Sequence, residues 1–149
     1  MSLSERYIKN MNALSEAECL SLKDKTVCVV GCGGLGGYVI SALARIGVGR
    51  IDVVDSDCFE ETNLNRQIFS RENNLGQPKA KVIADEVGKI NSEVKVEAFQ
   101  VKLEEANASE IISGADVVID CLDNFEARFW LGHTANKLGI PCIYGAIAG

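Results

Sequence analysis

The chain has 149 residues, 47% hydrophobic and 24% charged, with a net charge of −6. That composition is ordinary globular protein, long enough for one domain with its own core and without a disorder signature. The acidic balance argues against a nonspecific nucleic-acid binder, which needs a basic surface, and no run of ~20 apolar residues is present to span a membrane.

Residues 15–23 read as a short leading helix that closes an N-terminal segment, 1–25. An apolar strand at 26–30 runs into Gly31-Cys32-Gly33-Gly34-Leu35-Gly36. A helix follows, with Leu35, Val39, Leu43 and Ile46 spaced along one stripe and Gly47 and Gly49 ending it. The strand at 51–54 closes on Asp55 and opens into a long polar segment, 56–76, without clean periodicity. A connection of that length in a compact domain is usually functional. Pro78 suits the first turn of the next helix, whose inner face carries Ala80, Ile83, Val87 and Ile90. A strand near 94–99 alternates apolar and charged residues, as a sheet edge does. Then come a helix at 104–112, a strand at 115–120, a helix at 124–138 and the start of a buried strand at 141–147.

Strand and helix signals alternate throughout, which predicts an α/β fold: a Rossmann-like, doubly wound, mainly parallel sheet with helices on both faces. Residues 26–149 form the nucleotide-binding domain, and the lack of a closing element reads as truncation at the C-terminus. The six cysteines include no C-x-x-C pair, and there is one histidine, His133, so no zinc site is expected. Cys28, Cys121 and Cys142 fall in apolar strand runs, where buried packing is the expectation. Together with the polar N-terminus, this favours a reducing cytoplasm.

Ligands of such sheets bind outside the carboxyl ends of the strands. The chain gathers its unusual residues there. Glycines at 31, 33, 34 and 36 let backbone N–H groups approach a phosphate, or else serve close helix-to-strand contact. Asp55 is placed to accept from ribose hydroxyls, with Asp57 as the cap of the following turn. Lys79 sits in the first turn of a helix, where the dipole disfavours a cation by about 0.3–1 kcal/mol unless an anion intervenes. Arg66 has a fork suited to phosphate oxygens. Asp123 beside a polyphosphate needs a divalent ion, which fits a Mg²⁺ ligand; its competing reading is the N-cap of the next helix, a role Asn124 can fill equally well. No G-x-x-x-x-G-K-[ST] loop is present, so attack at the α-phosphate fits better than γ-phosphate hydrolysis.

These motifs, with Asn63-Leu64-Asn65-Arg66-Gln67, Gly76-Gln77-Pro78-Lys79-Ala80 and Asp120-Cys121-Leu122-Asp123-Asn124, resemble in order and spacing the ThiF/MoeB/HesA family. That family comprises bacterial relatives of ubiquitin-activating enzymes. The resemblance runs from about Arg6 to Gly149. It implies an adenylyltransferase that uses ATP and Mg²⁺ to turn the C-terminal Gly-Gly carboxylate of a small ubiquitin-like sulfur-carrier protein into an acyl-adenylate, releasing pyrophosphate. By position, Gly34 lies against the nucleotide and Asp55 holds the ribose. Asn63, Asn65, Arg66 and Lys79 face the phosphates, and Asp123 binds Mg²⁺ with Asn124 beside it. The catalytic set is then Arg66, Lys79 and Asp123. The resemblance also implies a homodimer, with an N-terminal arginine reaching the partner subunit's site. Here Arg6-Tyr7-Ile8-Lys9-Asn10 puts Lys9 at that position. Two other readings remain: a noncatalytic nucleotide-binding or dimerising fragment, and an NAD-dependent oxidoreductase resting on the glycine turn and Asp55 alone.

Overall fold

The computed structural model describes residues 2–146. Its elements are α1 (Glu16–Ser21), β1 (Thr26–Val30), α2 (Gly34–Ile46), β2 (Arg50–Val54), α3 (Lys79–Ile90), β3 (Lys95–Phe99), α4 (Glu105–Ile112), β4 (Val117–Asp120), α5 (Phe125–Leu138) and β5 (Cys142–Tyr144). All strand pairs are parallel, in the order β3-β2-β1-β4-β5. The chain leaves β3 at one edge and re-enters beside β1 as β4, so the strand order reverses at β1/β4. This is the expected Rossmann-like sheet, and the reversal is where such sheets open a crevice.

β1 is buried along nearly its whole length, and successive residues serve opposite faces. Val27 and Val29 join Ile40, Ala44, Ile51, Val53, Ile83 and Val87 on one face. Cys28 and Val30 join Val54, Ala108, Ile112, Val118, Leu131 and Ala135 on the other. A parallel sheet covered on both faces requires such unbroken apolar strands. Among the described residues, no helix is long and apolar enough to cross a membrane.

Several expectations shift on the backbone. The stripe of α2 that meets the sheet is Gly36, Ile40 and Ala44, one residue over from the expected one, while Gly37 faces Ile68 and Phe69. Val39 and Leu43 only flank the core, and Ile46 is exposed. Gly36 sets that face, because α2 passes against the Gly31 carbonyl where no side chain fits. The strand expected to be buried at 141–147 is an exposed edge over Cys142–Tyr144, so Cys142 is not a packed core thiol. Ile147 lies outside the described residues. Pro78 precedes α3 rather than entering it, leaving Lys79 as the first helical residue.

Two local structures have no apolar periodicity to announce them. Residues Glu5–Asn12 form a 3-10 helix whose Tyr7 is buried, its ring filling the space that any side chain at Gly47 would need. The segment 56–76 is ordered by two short 3-10 turns, Glu61–Asn63 and Glu72–Asn74, and is anchored by buried Phe59 and Phe69.

Candidate nucleotide site

The carboxyl ends of β1, β2 and β4 open into one crevice of about 1240 Å³. Gly31, Gly33, Gly34, Asp55, Arg66, Lys79, Asp123 and Asn124 all line it. Gly36, Asn63 and Asn65 do not.

The glycines divide into two kinds. Gly31 has a left-handed φ of +89°, and a Cβ there would stand 2.7 Å from the Cys121 carbonyl oxygen. A Cβ on Gly36 would meet the Gly31 oxygen at 1.8 Å. The fold alone demands glycine at these two positions. At Gly33 and Gly34 the nearest atoms are side-chain atoms, Gln67 Nε2 at 3.4 Å and Arg66 Cγ at 3.7 Å, both ordinary contact. What glycine achieves at 33 and 34 is to keep the corner beside Arg66 and Gln67 open at the start of α2.

Asp55 ties that corner together. Its Oδ2 accepts from the Cys32 amide at 2.8 Å and its Oδ1 from the Asp57 amide at 2.8 Å. Asp55, not Asp57, therefore caps the following turn, while the Asp57 carboxylate faces Lys79. Burial pushes the Asp55 carboxyl above the ordinary range, against the pull of the Cys32 and Asp57 amides and the Lys79 charge. Each oxygen has a further lone pair with which to accept another hydrogen bond.

Lys79 is not a solvated surface cation. It is 5% exposed, with Nζ 3.9 Å from Asp57 Oδ2 and 5.9 Å from the centroid of the Phe59 ring. A buried ammonium whose ion-pair partner is distant and exposed is poorly compensated, and an anion in the crevice would relieve that. Arg66 projects from the 56–76 segment, its Nη1 donating to Thr62 O and Asn65 Oδ1, both at 3.0 Å. Asn65 thus steadies Arg66. Asn63 is buried, and its Oδ1 accepts from Glu60 N at 2.9 Å, which shapes the same turn. Gln67 beside them was not singled out from sequence; it lines the crevice, is 6% exposed, and its Oε1 has no partner among the described residues.

On the opposite wall, Asn124 caps α5 by accepting from Ala127 N at 3.1 Å. Asp123 is thereby released from capping, and it is exposed. Asp120 and Arg128 also line this wall and were missed. Arg128 stands in the first turn of α5, the same signal of a cation at the wrong helix end that marked Lys79. Burial drives the Cys121 thiol up to about 11, so it is a protonated wall group rather than a nucleophile. Among the described residues, no cluster of three or more His, Cys, Asp or Glu side chains can hold a metal by itself. The donor set suits an ion shared between one carboxylate and phosphate oxygens, the usual manner of Mg²⁺.

Lys9 lies elsewhere. Asn10 Nδ2 donates to Ile46 O at 3.1 Å, which fixes its 3-10 helix to the carboxyl end of α2. The 13 residues of α2 separate that end from the glycine turn, about 20 Å at 1.5 Å per residue.

Comparison with known proteins identifies the family and the fold. The model of the ThiF family matches residues 5–149. The SAMP-activating enzyme E1 of Haloferax volcanii is 41% identical over 126 residues, covering 85% of this chain and 47% of that protein. The sulfur carrier protein adenylyltransferase of Thermus thermophilus is 43% identical over 126 residues, covering 85% of this chain and 46% of its own. The chain thus spans about half the length of the curated relatives it matches. Among solved structures, the E. coli tRNA N6-threonylcarbamoyladenosine dehydratase, TcdA, in complex with ATP, superposes with a TM-score of 0.94 at 31% identity. It is covered over 63% of its length by 100% of this chain.

Proposed function

The chain belongs to the ThiF family, and from that premise we propose that it is the nucleotide-binding part of an ATP-dependent adenylyltransferase. Its substrate is the C-terminal Gly-Gly carboxylate of a small ubiquitin-like sulfur-carrier protein, activated as an acyl-adenylate. The observation that carries this reading is the convergence of Arg66, Lys79 and Asp123 on the crevice that holds the glycine turn.

Gly33 and Gly34 leave the start of α2 open to phosphate oxygens. Asp55 accepts from the ribose hydroxyls. Lys79 and Arg66 face the triphosphate, Asn65 and Asn63 hold Arg66 and its turn, and Asn124 holds the loop that presents Asp123. A carrier carboxylate oxygen attacks the α-phosphorus, the new O–P bond forms, and the bond to the β-phosphate oxygen breaks. The electron pair leaves with pyrophosphate, toward the fixed cations. Asp123 would hold a Mg²⁺ ion, which would supply further neutralisation of charge on that leaving group. Lys9 would serve the crevice of a second copy of the chain, in the homodimer that the family resemblance implies.

Carrier-dependent exchange of label between pyrophosphate and ATP tests the reading. Exchange is expected in the unsubstituted protein and abolished in Arg66→Ala and Asp123→Ala with the fold intact. Normal exchange in both variants refutes the assignment. A second reading is a nucleotide-binding module without catalysis. Nucleotide binding without exchange would select it, and stabilisation by NAD in place of ATP would select an oxidoreductase.

A further inference from the structure

Leu122 is gripped through both of its backbone polar groups. Its N–H donates to Asp120 Oδ1 at 3.0 Å. Its carbonyl, which belongs to the peptide joining it to Asp123, accepts from Arg128 Nε at 2.6 Å and also from Nη2. The same Nη2 donates to the Gly145 carbonyl at 2.9 Å, and the guanidinium lies 4.4 Å from the centroid of the Tyr144 ring. Arg128 Nε is 3.9 Å from Asp120 Oδ1, with the two side chains 15% and 4% exposed. One guanidinium therefore joins the end of β4, the loop that follows it, the start of α5 and the residues after β5.

The Asp123 carboxylate, by contrast, has no hydrogen bond or ion pair among the described residues. Its aim depends on the backbone on either side of it. Asn124 fixes the following residue by capping α5, and the Leu122–Asp123 peptide fixes the preceding one. That peptide is held by Arg128. A planar fork can serve two carbonyls and a carboxylate from one position, which a lysine ammonium cannot do with the same geometry.

We propose that Arg128 is a positioning residue that holds the Leu122–Asp123 peptide so that the Asp123 carboxylate faces the phosphate corner, with Asp120 as its counter-charge. The inference rests on the reading of Asp123 as the Mg²⁺ ligand. Groups that orient a metal ligand typically change metal affinity by about 10–100-fold when removed. The effect falls on the metal-dependent part of ATP binding and spares a ligand whose affinity does not need the metal.

The experiment measures the affinity of the full chain for ATP over a Mg²⁺ titration, and for AMP without Mg²⁺, in the unsubstituted protein, Arg128→Met and Arg128→Lys. In Arg128→Met the tightening of ATP by Mg²⁺ is expected to shrink at least ~10-fold, while AMP affinity stays within about twofold. Arg128→Lys is expected to fall between the two, and it decides the matter if the methionine variant does not fold. Full Mg²⁺ tightening in the variants overturns the inference and leaves the proposed function standing. An equal loss of AMP affinity also overturns it, since Arg128 would then merely hold the crevice together. Absence of Mg²⁺ tightening in the unsubstituted protein would remove the metal role of Asp123 and this inference with it, while the AMP and metal-free ATP arms still report nucleotide binding.

Discussion

Gly36 lies directly behind the Gly31 carbonyl, with no room for a methyl group between them: the added carbon would stand 1.8 Å from the oxygen. Gly34, two residues earlier, has only the flexible Arg66 side chain near the same position, at 3.7 Å. Gly36→Ala is therefore expected to destabilise the domain by about 3 kcal/mol or more, because backbone must move. Gly34→Ala is expected to leave stability unchanged or raise it by ~0.5 kcal/mol, as alanine favours the helix. Its effect falls on ATP affinity. Urea denaturation and nucleotide titration of the two variants should give opposite patterns, and a stable Gly36→Ala would contradict the close contact.

Lys79→Met removes a buried charge whose nearest carboxylate is 3.9 Å away and mostly exposed. Replacing such a cation with an apolar chain of similar length is often neutral or stabilising. The melting temperature of the free protein is expected to hold or rise. The shift in melting temperature caused by ATP should largely disappear. A marked fall in the unliganded melting temperature would show that Lys79 serves the fold instead.

Neighbouring residues on the α5 side should separate just as cleanly. Asn124→Ala removes the cap on Ala127 N and is expected to cost about 1 kcal/mol, a melting shift of about 3 °C in a domain of this size. Asp123→Asn breaks no protein contact and should change stability by less than ~0.5 kcal/mol. Thermal melts without nucleotide compare the two.

Asp120 carries a pH signature. Burial raises its carboxyl above the ordinary 3.8, opposed by the Leu122 amide and the Arg128 charge. The folded chain then binds that proton more tightly than the unfolded chain does. Stability from this source is fully present below the unfolded value and is lost as pH rises through the raised folded value. Asp120→Asn lacks that loss, so the variant should gain relative to the unsubstituted protein across this window and run parallel to it above. Urea midpoints from the carboxylate range up to neutrality provide the measurement, and a difference drifting the other way would reverse the assigned cause.

The sheet and its helices were legible because β1 and β2 are mostly apolar runs, interrupted in β2 by Asp52, that meet glycines or acids at their ends. Those ends gathered Arg66, Lys79 and Asp123, and the structure places all three on one crevice. The face of α2 was misjudged because the Gly36 contact, rather than apolar spacing, decides which side approaches the sheet. Asn63, Gln67 and Arg128 show where local reading stops. Asn63 and Arg128 act through backbone groups several residues off, Gln67 Oε1 has no partner among the described residues, and no spacing rule announces whether a carboxamide turns inward to shape a loop or outward to a ligand. Tyr7 is the same case on a longer path: its burial depends on Gly47 and on Asn91, whose Nδ2 donates to the tyrosine hydroxyl at 2.8 Å.

The Asp55 carboxylate, with one oxygen on the Cys32 amide and the other on the Asp57 amide, has a consequence for how mutational data at this position should be read. Asp55 fastens two loops together whatever contact it makes with a ligand. A deep substitution scan scored only by protease resistance, in an assay blind to nucleotide, would already mark it as intolerant. Loss of binding in an Asp55 variant is therefore no measure of a ribose contact until resistance to digestion has been matched.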